Sequence, residues 1–326
     1  MPIWSEILHE LGQSKTKDGG LDCDSVRRKY LVQTYQHTKR NIILYASRWT
    51  QPTPEISPDL LSIVDEDMQG MMEVSYGLTG PKLDLILHSP GGSLEATEAI
   101  VTYLRSRFKH IRVIVPHLAM SAATMIACAA DVVVMGKHSF LGPTDPQLLL
   151  ITALGPRMVP VEAILEQFEQ AKDECRDPAK MGAWLPMLGQ YGPDLLVQCK
   201  NARDMARTLV ENWLKNYMFR RRANKDAKAK ETAELLTRHS HFKSHARHIP
   251  RSELRKWLRV DYLEKDQQAQ DLFLSIFHAT TLTFTHTPAT KIIENQLGKA
   301  FVKIQTTVFP VPQPPQAAPL KVSPKE

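Results

Sequence analysis

Long apolar runs are missing from this sequence. Although 43% of its 326 residues are hydrophobic, no stretch approaches the roughly 20 consecutive apolar residues that a membrane-spanning helix needs. Cysteine is scarce as well. The four, Cys23, Cys128, Cys175 and Cys199, lie too far apart for a metal-ligand pattern or a disulfide framework. That spacing fits a reducing compartment, and a cytoplasmic location is the expectation. The first twenty residues lack a basic region followed by an apolar one, so no secretory leader is expected. There is no G-x-G-x-x-G dinucleotide fingerprint and no H-E-x-x-H helix signature, so neither a cofactor nor a metal is expected. The net charge is +6. The positive charge gathers late, at Arg220-Arg221-Arg222, Lys225, Lys228, Lys230 and between Arg238 and Arg259. It reads as a solvated basic helical face, with an acidic partner as the alternative, and argues against nucleic acid.

What is present is ordinary globular composition, long enough for one large core and an appended subdomain. Residues 1–40 are polar and mixed and read as a helical arm. Asn41–Ala46 (NIILYA) reads as a strand, and prolines 52, 54 and 58 mark a loop. From Asp59 to Leu78, the spacing of Leu60, Ile63, Val64, Met68, Met71 and Met72 predicts a helix. From Leu83 the pattern becomes regular. Leu83–Leu87 (LDLIL), Ile111–Val115 (IRVIV) and Val132–Met135 (VVVM) are strand-like, and helical patterns fill Ser93–His110 and Ser121–Ala130. Alternating strands and helices with near-continuous apolar strands predict right-handed βαβ units and a parallel sheet covered on both faces. After Gly155 the pattern turns helical, with long runs at Val161–Cys175, Asp194–Arg222 and Lys225–Thr237, then at Ser252–Arg259 and Asp266–Thr280. Residues 310–326 are rich in Pro, Gln, Ala and Lys, and are expected to be disordered.

Four segments carry chemistry. His88-Ser89-Pro90-Gly91-Gly92 ends a strand and opens a helix. Its paired glycines let the backbone approach a ligand and face N–H groups toward a developing negative oxygen. Ser121 stands where the IRVIV strand passes into an apolar helix, a place that projects a nucleophilic hydroxyl and leaves the N–H of Ala122 as a second donor. Asp145, in Gly142-Pro143-Thr144-Asp145-Pro146-Gln147, sits in a loop pinned by prolines and could orient a histidine. His239, His241, His245 and His248 supply candidate bases, which a serine hydroxyl needs near neutral pH. Taken singly, each segment also has a plain structural reading: a tight turn, a helix cap, an aspartate ordering its own loop, surface histidines.

Their occurrence together and in order resembles the serine dehydrogenase proteinase (SDH) family, Clp-fold serine proteinases related to ClpP and signal peptide peptidase A. The resemblance is specific through DLILHSPGG, IVPHLAMSAATMIACAAD and MGKHSFLGPTDPQL, and looser to about Val260. It implies a ClpP/crotonase-like α/β fold of repeated βαβ units with a helical C-terminal extension. The implied organisation is an N-terminal arm (1–40), a core (41–155), a helical extension returning the histidine (156–265), a helix and strand segment (266–309) and a tail (310–326). It implies a serine peptidase with the triad Ser121, Asp145 and His245, in that chain order, and an oxyanion hole from Gly91, Gly92 and Ala122. His245 matches the family's histidine element through Ser244-His245-Ala246-Arg247-His248-Ile249-Pro250, where Ala246 replaces an acidic residue and His248 is a rival. Lys137 is the candidate for a Ser-Lys dyad of the signal peptide peptidase A kind, and Asp131 reads as structural. The implied substrate is a peptide or protein and the implied assembly a homo-oligomer built on trimers or hexamers, with no membrane partner. A crotonase-type acyl-CoA enzyme and an inactive Clp-fold scaffold are the alternatives.

Overall fold

The computed structural model describes residues 3–51, 56–152 and 155–305. Part of the proline loop (positions 52 and 54) and the tail 310–326 lie outside the described residues. The chain lays down β1 (Asn41–Ser47), β2 (Lys82–His88), β3 (His110–Val115), β4 (Leu118–Ala119), β5 (Val132–Met135) and β6 (Phe140–Leu141). β7 (Gln147–Thr152) and β8 (Gly155–Pro160) form a hairpin. The last third adds β9 (Ile249–Pro250), β10 (Val260–Tyr262), β11 (Ala289–Asn295) and β12 (Ala300–Ile304).

The main sheet runs β10-β5-β3-β2-β1-β11-β12. β10, β5, β3, β2 and β1 pair in parallel, while β11 and β12 close one edge antiparallel. The result is a mixed α/β architecture around a mostly parallel sheet. Its central strands are nearly continuous apolar runs because helices cover both faces, so an inward and an outward residue both meet core. Helices Leu94–Arg107, Ala122–Cys128 and Leu195–Trp213 pack on one face, with Ile100, Leu104, Met125 and Val210 in its core. Helices Cys23–Thr38 and Gln267–His286 pack on the other, with Leu31, Phe273 and Ile276. Among the described residues no helix is long and apolar enough to cross a membrane.

One departure from the sequence-based expectation bears on the site. The pattern over Asp59–Leu78 is not one helix but two, Pro58–Leu61 and Asp67–Ser75. Ile63 lies between them, extended and fully buried, and forms a parallel bridge with Gly92. Tertiary pairing overrides the helical spacing there. A second feature that bears on the site is the polar character of β11. β11 carries Lys291 and Glu294, both fully buried and ion-paired, in a strand whose polar letters resemble a surface segment.

Candidate active site

A second, three-stranded sheet, β4-β6-β9, assembles the site. β4 pairs β6 in parallel, Ala119 opposite Leu141, and β6 pairs β9 antiparallel, Leu141 opposite Ile249. Ser121 follows Ala119 by two residues and Asp145 follows Leu141 by four. His245 precedes Ile249 by four on a strand running the other way. All three therefore leave the same end of one small ladder. Thr124 fastens this end: its hydroxyl donates to the Ala119 carbonyl at 2.8 Å and accepts from the Gly142 N–H at 3.0 Å.

Ser121 is the residue before helix Ala122–Cys128 and has φ 51°, ψ −120°. A positive φ in a non-glycine residue costs on the order of 1–3 kcal/mol and persists only where the surroundings impose it. Here they do: Met120 N–H donates to the Ser89 carbonyl at 2.9 Å, and Ala123 N–H donates to Met120 at 2.9 Å. The half-buried hydroxyl makes no hydrogen bond among the described residues, to His245 or to any other group.

The glycine turn lies against this serine turn. Gly91 has φ 101°, and a Cβ added there would stand 2.8 Å from Ala122 N, Met120 O and Ser121 Cβ. Gly91 spends its own N–H on Ser89 Oγ at 3.2 Å. Among the described residues the N–H groups of Gly92 and Ala122 have no acceptor, which leaves two donors unpaired next to the contact between the two turns.

Asp145 is buried, and each carboxylate oxygen meets an imidazole. His245 Nδ1 lies 2.8 Å from Oδ1 and His239 Nδ1 lies 2.7 Å from Oδ2. A carboxylate accepts only, so both imidazoles present Nδ1–H to it, and neutral His245 keeps its lone pair on Nε2. His239 as second partner was not legible in the sequence; the only signal was its membership of the same histidine cluster. It belongs to the short helix His239–Phe242, which is tied down by Ser240 N–H donating to Glu162 at 3.0 Å. His248 points elsewhere, its ring 5.5 Å from that of Phe140, and His241 is exposed against Trp257 and Phe242. Lys137 is exposed, and its backbone N–H donates to Glu264 at 3.0 Å. Asp131 is buried and accepts from Arg105, Arg220 and the Ile111 N–H at 2.8–3.0 Å, a structural role.

A separate group of imidazoles lies at the ends of β2, β3 and β5. His88 is buried, its Nδ1 3.1 Å from the Leu118 carbonyl and its ring 5.8 Å from His117 and 5.0 Å from Phe277. Burial first, then the neighbouring His117, pushes His88 down to about 3. Burial likewise lowers His117, His138 and His278. No group of three or more metal-ligating side chains stands together among the described residues.

Residues 75–186 match the model of the ClpP-like SDH-type serine proteinases. Two uncharacterized proteins of Methanocaldococcus jannaschii are similar. One is 33% identical over 156 residues, 48% of this chain and 45% of that protein. The other is 37% identical over 95 residues, 29% of this chain and 30% of its own length. The chain thus spans less than half the length of either relative. No solved structure matches.

Proposed function

We propose, from the match of residues 75–186 to the ClpP-like SDH-type serine proteinases, that this chain is a serine peptidase with a ClpP/crotonase-like core, acting through Ser121, His245 and Asp145. The observation that carries the reading is the contact between the two turns. Gly91 lies against Ser121 and Ala122, and the N–H groups of Gly92 and Ala122, on either side of that contact, have no acceptor among the described residues.

In this reading Ser121 Oγ attacks the carbonyl carbon of a peptide bond and its proton passes to His245 Nε2. Asp145 holds Nδ1–H, fixing the ring and stabilising the imidazolium. The carbonyl oxygen takes the electron pair and is held by the N–H groups of Gly92 and Ala122. The tetrahedral adduct collapses, the C–N bond breaks and the leaving amine takes the proton from His245. Water then attacks the acyl-serine with His245 as base, releasing the carboxylic acid and restoring the hydroxyl. The register of β4, β6 and β9 favours His245 over His248, because it sends His245 and not His248 back to Asp145. His239, on the far oxygen, is a positioning residue that holds the carboxylate.

We further propose a closed homo-oligomer, built on trimers or hexamers. Leu149, Ile151 and Met158 on the β7–β8 hairpin are 58–76% exposed, an apolar face suited to burial between copies. Sedimentation of a monomer only, across micromolar concentrations, would refute this assembly.

The test of the activity is Ser121→Ala. The parent should be labelled by a fluorophosphonate and hydrolyse casein peptides, and the variant should do neither while keeping its circular dichroism. Labelling of the variant at the parent's rate would exclude Ser121 as nucleophile. A parent that never labels would return the chain to the acyl-CoA or scaffold readings.

A further inference from the structure

β11 buries an ammonium group that the proposed chemistry does not use. Lys291 is fully buried, and its Nζ donates to Asp67 Oδ1 at 2.9 Å, Asp67 Oδ2 at 2.8 Å and the Ser62 carbonyl at 2.5 Å. Asp67 is equally buried and also accepts from Tyr45 Oη at 2.7 Å and from the Val64 N–H at 3.0 Å. Lys303 reaches Asp67 at 3.2 Å and Glu66 at 2.8 Å. Removing a lysine from water is costly. Burial pulls Lys291 down to about 8, with Asp67 opposing that pull. Well-packed apolar residues would hold a strand end at less cost.

The Ser62 carbonyl belongs to the peptide whose N–H is that of Ile63. That N–H donates to the Gly91 carbonyl at 2.7 Å. The Gly91 carbonyl in turn belongs to the peptide whose N–H is that of Gly92, the unpaired donor beside Ser121. Two peptide groups therefore run head to tail from the ammonium to the oxyanion donor. In a trans peptide, C=O and N–H point in opposite directions, so pinning the Gly91 carbonyl on Ile63 turns the Gly92 N–H away from Ile63. Ser93 N–H donates back to the Ile63 carbonyl at 2.9 Å, closing the bridge. The approach is too close for any side chain at position 92: an added Cβ would lie 2.2 Å from Ile63 O. Hydrogen bonds in series polarise one another, on the order of 10–30% per bond.

We infer that Lys291 is a positioning residue for the oxyanion hole: through the Ser62–Ile63 and Gly91–Gly92 peptides it aims and polarises the Gly92 N–H. The inference rests on the hydrolase reading above. It assigns a role to Asp67 too, which holds the ammonium and, through the Val64 N–H, the turn that presents Ile63.

Two variants separate this role from a merely structural one. Lys291→Met removes the ammonium and leaves the buried Asp67 charge with Lys303, at 3.2 Å, as its remaining cation. Lys291→Met with Asp67→Asn removes that charge as well, and the new amide oxygen still accepts from Tyr45 and Val64. Folding is followed by circular dichroism and melting, turnover with p-nitrophenyl acetate, and acylation by the rate of fluorophosphonate labelling of Ser121. The double variant should regain melting temperature over the single one. In both variants kcat and labelling rate should stay about ten- to a hundred-fold below the parent with KM little changed, short of the hundred- to thousand-fold loss of a whole donor. A folded double variant at the parent's kcat overturns the inference. Failure of both variants to fold also overturns it, by assigning the ammonium to the core. A parent that neither labels nor turns over refutes the hydrolase reading and takes this inference with it. A labelling parent with equally fast variants refutes the inference alone.

Discussion

Replacing Gly91 by Ala tests the geometry of the proposed oxyanion hole more sharply than any change at the nucleophile. The added methyl group would lie 2.8 Å from Ala122 N, Met120 O and Ser121 Cβ, whereas ordinary contact begins at 3.4 Å. Two of those atoms are backbone and none is the end of a flexible side chain, so the glycine and serine turns must part by about 0.6 Å. That displacement falls between the carrier of one oxyanion donor and the N–H of the other. Misplacement approaching 1 Å at a reacting centre costs about a hundred-fold. The expected result is a kcat, and a rate of fluorophosphonate labelling, about a hundred-fold below the parent with KM little changed. The φ of 101° adds a stability cost of about 1–3 kcal/mol. Gly19→Ala is the control. It has φ 83° and nothing within 4 Å, so it carries backbone strain without a clash, and it should lower the melting temperature while leaving labelling unchanged. A folded Gly91→Ala protein that labels at the parent's rate would show that the glycine turn does not frame the hole.

Further outcomes are expected for the histidines, for acid stability and for the cysteines. His245→Ala should lose about a hundred- to ten-thousand-fold in kcat, the usual worth of a general base. His248→Ala should be near the parent. His239→Ala should keep activity within about tenfold while melting lower, because Asp145 Oδ2 loses its imidazole; a dead His239→Ala beside an active His245→Ala in the same assay would exchange their roles. Stability should fall on acidification, since His88 titrates near 3 when folded against about 6.5 unfolded. Between those values the unfolded chain binds the extra proton, so the stability from keeping this ring neutral is present above about 6.5 and is lost as pH falls toward 3. Denaturant midpoints measured from pH 7 to pH 4 should drop, and less steeply in His88→Asn; parallel slopes would exclude His88 as the cause. Iodoacetamide should modify Cys175 first in the native protein. Cys23, Cys128 and Cys199 are buried and their thiols are pushed up by burial, Cys128 to about 12. Peptide mapping that finds Cys128 modified first would contradict this.

The parts legible in the sequence were those where local pattern and tertiary role agree. The runs LDLIL, IRVIV and VVVM are strands because both their faces are covered, and Val132–Met135 has the extent its apolar run suggests. The turns at Gly91 and Ser121 announce themselves through residue types that suit sharp strand-to-helix junctions. Ile63 was illegible because its partner is Gly92 and its spacing to Leu60 and Met68 mimics a helix. The burial of Lys291 and Glu294 was not legible, since only the fold reveals the Asp67, Arg27 and Arg28 that pair with them. His239 could not be told from its neighbours. Which histidine meets Asp145 depends on a chain reversal between β6 and β9 that no nearby residue encodes.

The Asp145–His245 hydrogen bond joins positions 100 residues apart, whereas Ser121 and the glycine turn complete their pairing within the first half of the chain. Synthesis adds about 5–20 residues per second, so on the order of 5–20 s separates the making of the aspartate from that of the histidine. Throughout that interval the growing polypeptide holds its hydroxyl and donors without a base. On the proposed mechanism the chain gains hydrolytic power only when Ile249 docks beside Leu141, by which time β1, β2, β3 and β5 and the helices between them have been translated. A truncated product ending anywhere between those two events would be inert, and unfinished neighbours on the same message would be spared.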